Sequence, residues 1–533
     1  MTDVVTYHND SERTGWNAHE VVLTPETVSA SSFGLLVTVP LDDRVDAQPL
    51  LVTHQRIEGQ GFHSVLYVAT ESNTIYAIDA LSGVVLKKRT LGPKSVKTGE
   101  CPHSVGVNST PTIDRSLDTL FVMSGTASST GVPEFHLHAL DLETLADRTG
   151  SPVIVEATQN LQDGTQYSFD ATYQRQRPAL LESEGHIYAG FGSFGDCGGH
   201  FSRGWVLGWD KFSLRPMQSN ELPNRKPQAG ISRLFLSSIW MTGFGLAADD
   251  HGDIYFTTGN TQPGTYDEVF NVSESAVRLS NNLSRMMGVF TPANVATLDI
   301  EDGDYGAGGL MVLPEQGGRF PHIAVAAGKD GRLFVLDRDN MGGNHTTDVP
   351  NNVLIGGCWC GPSYFEANNK PRVVTSGNAS LMEWSITTEG GLPSLSLLAS
   401  SDSAVETSLH DPGFFTSISS DGSKPDTAII WAVGHGSGND NSVTLHAFDA
   451  TPVHGAFRVL WSGVAGSWGS NSLNPNIVPT VANGHVYVAS VKELRIFGLL
   501  PPAVPPLPVP PSGKPVEPSR YDDKALSVAA ASR

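Results

Sequence analysis

A short phrase recurs along the chain: two apolar strands joined by a polar turn, with an aspartate at the end of the second strand. Its clearest copy is residues 65–79, where the turn begins at Glu71 and the phrase ends at Asp79. Such a pattern is typical of a β-hairpin. Seven further copies, some weaker, lie at 138–141, 205–210, 277–279, 333–337, 382–384, 446–449 and 494–497. The sequence therefore predicts eight hairpins at intervals of roughly fifty residues.

A strand that opens on small residues or proline precedes each hairpin. These openings lie at residues 47–49, 108–111, 177–178, 240–243, 304–306, 358–360, 413–415 and 476–479. A strand of this kind can lie innermost against a central axis, and radially repeated four-stranded units are the signature of a β-propeller. We therefore predict an all-β fold, an eight-bladed β-propeller of four-stranded blades.

The ends of the chain indicate how the ring closes. The last repeat is one strand short, whereas residues 33–40 form an unassigned strand before the first repeat. We expect this N-terminal strand to complete the last blade. The predicted organisation is an N-terminal segment packing on the propeller (1–32), the propeller itself (33–500) and a Pro-rich, disordered tail (501–533).

Charge and composition narrow the partners. The chain has 34 Lys and Arg against 55 Asp and Glu, a formal net charge of −21. Since an acidic surface repels phosphate, we expect no nucleic-acid partner. No apolar run is long enough for a transmembrane helix. The first residues lack the apolar core of a signal peptide, which predicts either a cytosolic protein or one whose leader has been removed.

Propeller geometry predicts where function lies. The starts of the inner strands and the turns between second and third strands share one face, so their side chains converge on one axial pocket. The inner-strand starts contribute Asn108, Arg177, Trp240, Asp304, Trp359 and Asn476, and the turns contribute Glu71, Asp196, Asn260, Lys329, Asn378 and His435. The alternative interpretation is that these polar residues only cap strands and turns.

Three members of this set predict a metal site. Asp196, Asn260 and Asp304 carry hard oxygen ligands on neighbouring blades, the donors that Ca²⁺ prefers. Lys329 lies one blade further on, so Asp304 could serve as a general base with an electrophilic partner. A network of turn-capping carboxylates with a solvent-exposed lysine is the competing interpretation.

The four cysteines, at 101, 197, 358 and 360, are not spaced as C-x-x-C. Cys358 and Cys360 could be free thiols, a short disulfide, a soft-metal pair, or partners of the other two cysteines. Cys101 and Cys197 both fall on the predicted pocket face, where a disulfide between them is plausible.

The repeats at 67–83 and 331–338 resemble those of quinoprotein alcohol dehydrogenases, which are eight-bladed propellers that bind pyrroloquinoline quinone (PQQ). The resemblance covers about residues 33–500. The opening at 7–16 and the stretch at 357–365 are more like an uncharacterised PQQ-like branch. The resemblance implies an oxidoreductase with PQQ and Ca²⁺ as cofactors, in a periplasmic or secreted location.

The resemblance also implies roles for single residues. Residues 254–260 are similar to the strand whose terminal Asn binds calcium, which implies a metal ligand at Asn260. Residues 303–307 are similar to the motif that carries the catalytic base, here Asp304. Residues 327–331 look like the turn whose basic residue contacts the quinone, here Lys329. The segment at 195–198 resembles the one that supplies a metal-binding Glu, here Asp196.

The cofactor-binding set predicted on these grounds is Lys329, Trp240, Asn108, Arg177, Trp359 and Cys101. The chain differs from the family at three points. The adjacent Cys-Cys pair is missing, since Pro102 follows Cys101. The stacking tryptophan would fall near Thr242, two residues from Trp240. No C-x-x-C-H sequence occurs, so an electron acceptor would be a separate molecule.

Three functions follow as hypotheses. The first is a PQQ-dependent oxidoreductase acting on an alcohol or sugar hydroxyl. The second is a non-redox propeller that lost PQQ and binds a small molecule, carbohydrate or protein on the same face. The third is a polysaccharide lyase or hydrolase that uses pocket residues such as His410, His435, Arg177 and Asp304.

Overall fold

The computed structural model describes residues 1–97, 103–194, 202–232, 235–344, 352–407, 411–436, 441–468 and 476–501. They form an eight-bladed β-propeller with four-stranded antiparallel blades, which confirms the predicted fold class. Residues 1–500 make one compact unit. The predicted tail lies almost entirely outside the described residues. The bounds of the three predicted domains stay predictions.

The blades are numbered 1 to 8 along the chain. The strands are given from the axis outward. Blade 1 has Leu50–Ile57, Gly61–Ala69, Thr74–Asp79 and Val85–Thr90, and blade 2 has Thr112–Asp114, Thr119–Ala127, Pro133–Asp141 and Val153–Ile154. Blade 3 has Leu181–Ser183, His186–Ser193 and Trp205–Asp210, and blade 4 has Ala247–Ala248, Ile254–Thr257, Ala276–Leu279 and Met286–Thr291.

The strands of blades 5 to 8 are Leu310–Val312, Ile323–Ala327, Arg332–Asp337 and Asn352–Leu354; Ser363–Ala367, Lys370–Thr375, Leu381–Thr387 and Ser394–Ser401; Phe415–Ser419, Ile429–His435, Ser442–Val453 and Ala456–Ser467; and Thr480–Ala482, His485–Ala489, Val491–Leu499 and Phe33–Arg44.

Short elements lie between and beside the blades. The additional strands are Trp16–Asn17, Ser95–Lys97, His103–Val105, Thr158–Asn160, Gln166–Ser168, Gln174–Arg175, Ser202–Arg203, Phe235–Leu236 and Gly343–Asn344; the helices are the α-helix Val295–Glu301 and the 3₁₀ helices Met241–Gly243 and Tyr305–Ala307. Within the described ranges, no helix has both the length and the apolar character needed to cross a membrane.

The ring closes as the sequence predicts. The strand Phe33–Arg44 pairs antiparallel with Val491–Leu499, with Phe33 opposite Leu499 and Arg44 opposite Val491. Phe33 is buried against Trp431 of blade 7, with 5.3 Å between the ring centroids. Strands from the two ends of the propeller sequence therefore share one blade, and the outer edge of Val491–Leu499 is paired within the chain.

The N-terminal segment that precedes this strand contacts the innermost strand region of every blade in turn. Its hydrogen bonds join Val4 to Leu51 in blade 1, Val5 to Ile113 in blade 2, Arg13 to Leu180 in blade 3, Ser11 to Ala248 in blade 4, Glu12 to Val312 in blade 5, Thr14 to Tyr364 in blade 6, Gly15 to Ile418 in blade 7 and Asn17 to Val481 in blade 8. The segment therefore ties the eight blades together around the axis.

Arg13 is the most demanding part of this segment, because its guanidinium is fully buried. It donates to the carbonyl oxygens of Leu246 at 2.8 Å, Leu180 at 3.0 Å and Tyr7 at 2.9 Å. Burial lowers the pKa of Arg13 to about 10. One carbonyl group of blade 3, that of Leu180, and one of blade 4, that of Leu246, thus share the Arg13 side chain as a hydrogen-bond donor.

Replacing Arg13 by methionine keeps most of the volume but leaves these buried carbonyl oxygens without a donor. We expect Arg13→Met to lower the free energy of unfolding by about 3 kcal/mol or more, measured by denaturant unfolding. Arg56→Met is the control, because Arg56 is exposed and forms an ion pair at the surface with Glu143. The control should lose less than about 1 kcal/mol. Equal losses in the two variants would contradict this role of the N-terminal segment.

Candidate active site

Close backbone contacts bring three of the predicted residues together. A Cβ atom on Gly306 would lie 2.4 Å from the backbone nitrogen of Gly259, and a Cβ on Gly328 would lie 2.6 Å from the Cα of Tyr305. Since no side chain fits at either position, the turn of blade 4 can press against the entrance to blade 5. Asn260, Asp304 and Lys329 lie beside these contacts, and the structure therefore places them in one site.

The three side chains form a connected polar group with Asp302. The Lys329 Nζ lies 2.7 Å from Asp304 Oδ2 and 2.8 Å from Asp302 Oδ2. The backbone N–H of Asn260 donates to Asp304 Oδ1 at 3.2 Å, and Asn260 Nδ2 donates to Asp302 Oδ1 at 3.1 Å. Asp304 is buried, whereas the side chain of Asp302 is 56% exposed. Asp302 thus forms the outer side of the group.

Burial and the ion pair set the proton affinities of this group. Burial raises the pKa of Asp304 to about 6, against the opposing effect of the Lys329 charge. For Lys329, burial disfavours the charged form, but Asp304 and Asp302 outweigh it and raise the pKa above its usual value. A carboxylate with a pKa near 6 beside a permanent cation is suited to accept a proton near neutral pH.

The sequence prediction missed Glu274, a third carboxyl group, which lies next to Asp304. Its Oε2 accepts the backbone N–H of Tyr305 at 2.6 Å, and its Oε1 has no hydrogen-bond partner in the described part of the chain. Burial, together with the charge of Asp304, raises its pKa well above the usual range. Glu274 comes at the end of the long turn at 258–275, whereas Asn260, the turn residue that the hairpin pattern singled out, lies near its start.

Two tryptophans flank the group. The indole N–H of Trp240 donates to Ser193 O at 2.9 Å, and a Cβ on Gly259 would lie 2.6 Å from the Trp240 ring. Trp359 lies with its ring centroid 4.8 Å from the Lys329 Nζ. Thr242, near which the resemblance would put the stacking tryptophan, is buried and donates to the carbonyl of Ala307. The aromatic ring next to Gly259 is therefore that of Trp240.

Asn108 and Arg177 lie in a second polar group, on blades 1 to 3. Asn108 Nδ2 donates to Asp46 Oδ2 at 2.9 Å and to Glu71 Oε1 at 3.0 Å, and Arg44 pairs with both carboxylates. Burial and the neighbouring Arg175 lower the pKa of Arg177 to about 9. We call Arg44, Asp46, Glu71, Asn108, Arg175 and Arg177 the arginine group. Its three arginines lie around the carboxylates of Asp46 and Glu71.

Sequence reasoning found only part of the arginine group. Arg44, Asp46 and Arg175 lie immediately before the motifs at 47–49 and 177–178, so a wider window around each inner-strand start would have included them. Asp411, which acts on both Arg177 and His435, connects this side of the axis to blade 7. His410, Asp196, Cys101 and Cys197 lie outside the described residues.

A serine, a histidine and an aspartate line up in blade 2, but they are not an active site. The Oγ of Ser124 is 3.1 Å from His138 Nε2, and His138 Nδ1 is 2.9 Å from Asp147 Oδ1. Ser124 is fully buried and His138 nearly so. No substrate can reach a hydroxyl in this position, so the row is a structural hydrogen-bond network inside the blade.

The predicted metal site can be tested only in part. Within the described ranges, no three His, Cys, Asp or Glu side chains lie close enough to hold a metal ion. Asn260 and Asp304 do lie together. The Oδ1 of Asn260 is buried and, among the described residues, accepts no hydrogen bond. A buried amide oxygen without a donor, beside a buried carboxylate, fits a hard cation such as Ca²⁺.

Comparison with known proteins defines the fold. No protein-family model matches the chain, and no curated protein matches it either. Among solved structures, quinohemoprotein alcohol dehydrogenase ADHIIG from Pseudomonas putida HK5 matches with a TM-score of 0.57 and 12% identity, over 98% of this chain and 83% of that chain. A europium-containing methanol dehydrogenase matches with a TM-score of 0.51 and 14% identity, over 91% of this chain and 81% of that chain. The likeness is one of fold.

The contact at Gly306 yields a direct test of how the site is assembled. Because a methyl group there would collide with the backbone of blade 4, we expect Gly306→Ala to lower the free energy of unfolding by about 1–3 kcal/mol, measured by denaturant unfolding. Gly317→Ala is the matched control, since Gly317 is exposed and a Cβ there would meet nothing within 4 Å. A Gly306→Ala variant as stable as this control would show that the two loops do not meet as described.

Proposed function

We propose that this protein is a quinoprotein-like oxidoreductase that oxidises an alcohol or a sugar hydroxyl with PQQ and Ca²⁺ at the axial site. The observation that carries the proposal is the arrangement of Asp304. This carboxylate is buried, paired with Lys329 at 2.7 Å, and adjacent to Asn260, whose side-chain oxygen accepts no hydrogen bond from the described residues. The fold shared with two dehydrogenases supports it. A periplasmic or secreted location stays a prediction.

The residues divide into those that would hold the cofactors and one that would move a proton. Asn260 and Asp304 would hold the metal ion, with Asp196 as the predicted third ligand. When bound, PQQ supplies a two-electron acceptor and the ion supplies Lewis acidity. The Lys329 ammonium would donate hydrogen bonds to the quinone oxygens, and the Trp240 ring provides an apolar surface beside Gly259.

The arginine group is suited to the other end of such a cofactor. PQQ carries several carboxylates, and guanidinium groups bind carboxylates through paired, charge-assisted hydrogen bonds. We propose that Arg177 binds these carboxylates, since burial and Arg175 disfavour its charged form and an anionic ligand would stabilise it. Asn108, whose amide group donates to Asp46 and Glu71, would hold these two side chains in place beside the cofactor. The acidic half of the site, around Asp304, would then face the metal and the substrate hydroxyl.

Asp304 would act as the general base. With its pKa raised to about 6, it is mostly ionised at neutral pH and can accept the proton of a substrate hydroxyl. Lys329 stabilises the ionised form before the transfer. Electrons would leave to a separate acceptor, because no haem-attachment sequence occurs in the chain.

The proton transfer yields a prediction for pH and for two acidic residues. A base must be unprotonated, so dye-linked alcohol oxidation by the PQQ- and Ca²⁺-loaded protein should rise with pH and then level off. Because the bound Ca²⁺ adds to the effect of Lys329 in favouring the carboxylate, this rise should lie below the pKa of about 6 that Asp304 has without the ion. Asp304→Asn should lower kcat by about 10²–10⁴-fold. The control, Asp302→Asn, alters the exposed partner of the same lysine and should keep kcat within about tenfold. Unchanged PQQ-dependent turnover in Asp304→Asn would exclude this assignment.

One observation favours a second candidate, a propeller that binds a ligand or a protein on this face without redox chemistry. Lys329 pairs with Asp302 and Asp304, so side chains of the protein itself balance the charge of this cation. This candidate predicts that PQQ causes no change in the thermal unfolding midpoint with or without Ca²⁺. A PQQ-induced increase in that midpoint would exclude it.

A further inference from the structure

Trp359 lies inside a small covalent ring at the start of blade 6. Cys358 and Cys360 form a disulfide bond across it, with their Cα atoms 4.9 Å apart. Both cysteines are buried, whereas Trp359 between them is only half-buried. Of the alternatives that the sequence left open for this pair, the structure selects the short disulfide.

Hydrogen bonds fix the ring to the loops around it. The N–H of Cys358 donates to Gly328 O at 3.2 Å, and the N–H of Trp359 donates to Pro412 O at 2.8 Å. The carbonyl of Cys360 accepts the N–H of Gly309 at 2.9 Å. The ring is thus attached to the Lys329 turn, to the entrance of blade 5 and to the entrance of blade 7. These bonds fix the backbone from which the Trp359 side chain projects.

The Trp359 side chain covers Lys329. Its ring centroid is 4.8 Å from the Nζ, within the range of a cation–π contact. Asp304 binds the same ammonium from the buried side and Asp302 binds it from the exposed side. As a result, the side chain of Lys329 is only 17% exposed although it lies at the mouth of the site.

We propose that the Cys358–Cys360 disulfide is a positioning element: it holds the Trp359 ring over the Lys329 ammonium, so that a ligand can reach this cation only from the side away from blade 6. The proposal concerns access to Lys329 and does not depend on which ligand the site binds. The proposed dehydrogenase function assigns no role to this disulfide bond.

The rate at which a small reagent acetylates Lys329 measures this cover directly. The full-length protein is treated briefly with acetic anhydride, and acetylation of single lysines is followed by peptide mass spectrometry. Lys211 is a matched internal control, because it is 14% exposed and also pairs with two carboxylates, Asp114 at 2.6 Å and Glu182 at 2.8 Å. It lies away from the disulfide, on blade 3.

We expect the double variant Cys358→Ser/Cys360→Ser to acetylate Lys329 about two to five times faster than the wild-type protein, the change expected for loss of a cation–π contact at a partly exposed site. Lys211 should keep its rate. Trp359→Ala, with the disulfide intact, should show the same increase at Lys329. Trp359→Phe, which keeps an aromatic ring inside the covalent ring, should stay close to the wild-type rate.

Each contrary result overturns the proposal. A wild-type rate at Lys329 in Trp359→Ala would show that the indole is not the cover. A wild-type rate in a folded double serine variant would show that the bond does not position the indole. An equal increase at Lys211 would indicate general loosening, and failure of the double variant to fold would assign the bond to stability alone.

Discussion

The structure depends on a ring whose closure uses residues from both ends of the propeller sequence. Phe33–Arg44 supplies the outermost strand of the blade that Val491–Leu499 completes, and the segment before it binds all eight inner-strand regions in turn. The buried Arg13 gives this connection its specificity, because its donors satisfy carbonyl groups on two neighbouring blades.

The candidate site lies in the loops that lead into the inner strands. In the sequence, these loops come before the residues that the N-terminal segment binds. There the contacts at Gly306 and Gly328 replace side-chain packing by backbone packing, which brings Asn260, Asp304 and Lys329 together. The arginine group lies on blades 1 to 3 and the acidic group on blades 4 and 5. The first group brings three arginines together and the second brings three carboxyl groups around Lys329, and the proposed function assigns the cofactor carboxylates to the first and the metal ion to the second.

The repeats made the fold predictable, because a hairpin of period two is a local pattern that survives in every blade. The repeats predicted that Asp304 and Lys329 share one face, since both positions recur at the same end of the repeat, but Lys329 was expected one blade further on and the structure places both residues on blade 5. Glu274 was not predictable, because it lies in a long turn whose residues follow no repeat. The path of the N-terminal segment was not either, because its irregular backbone follows no periodicity. The burial that shifts the Asp304 pKa arises from tertiary packing and leaves no sequence pattern.

The central claim is that the axial site binds a quinone through a metal ion, and calorimetric titration of chelator-treated protein with PQQ tests it most directly. The account predicts saturable binding of one PQQ per chain in the presence of Ca²⁺ and much weaker binding without it. Asn260→Asp should retain this calcium dependence, whereas Asn260→Ala, which removes an oxygen that has no donor among the described residues, should lose it. Absence of binding with and without Ca²⁺ would contradict the account.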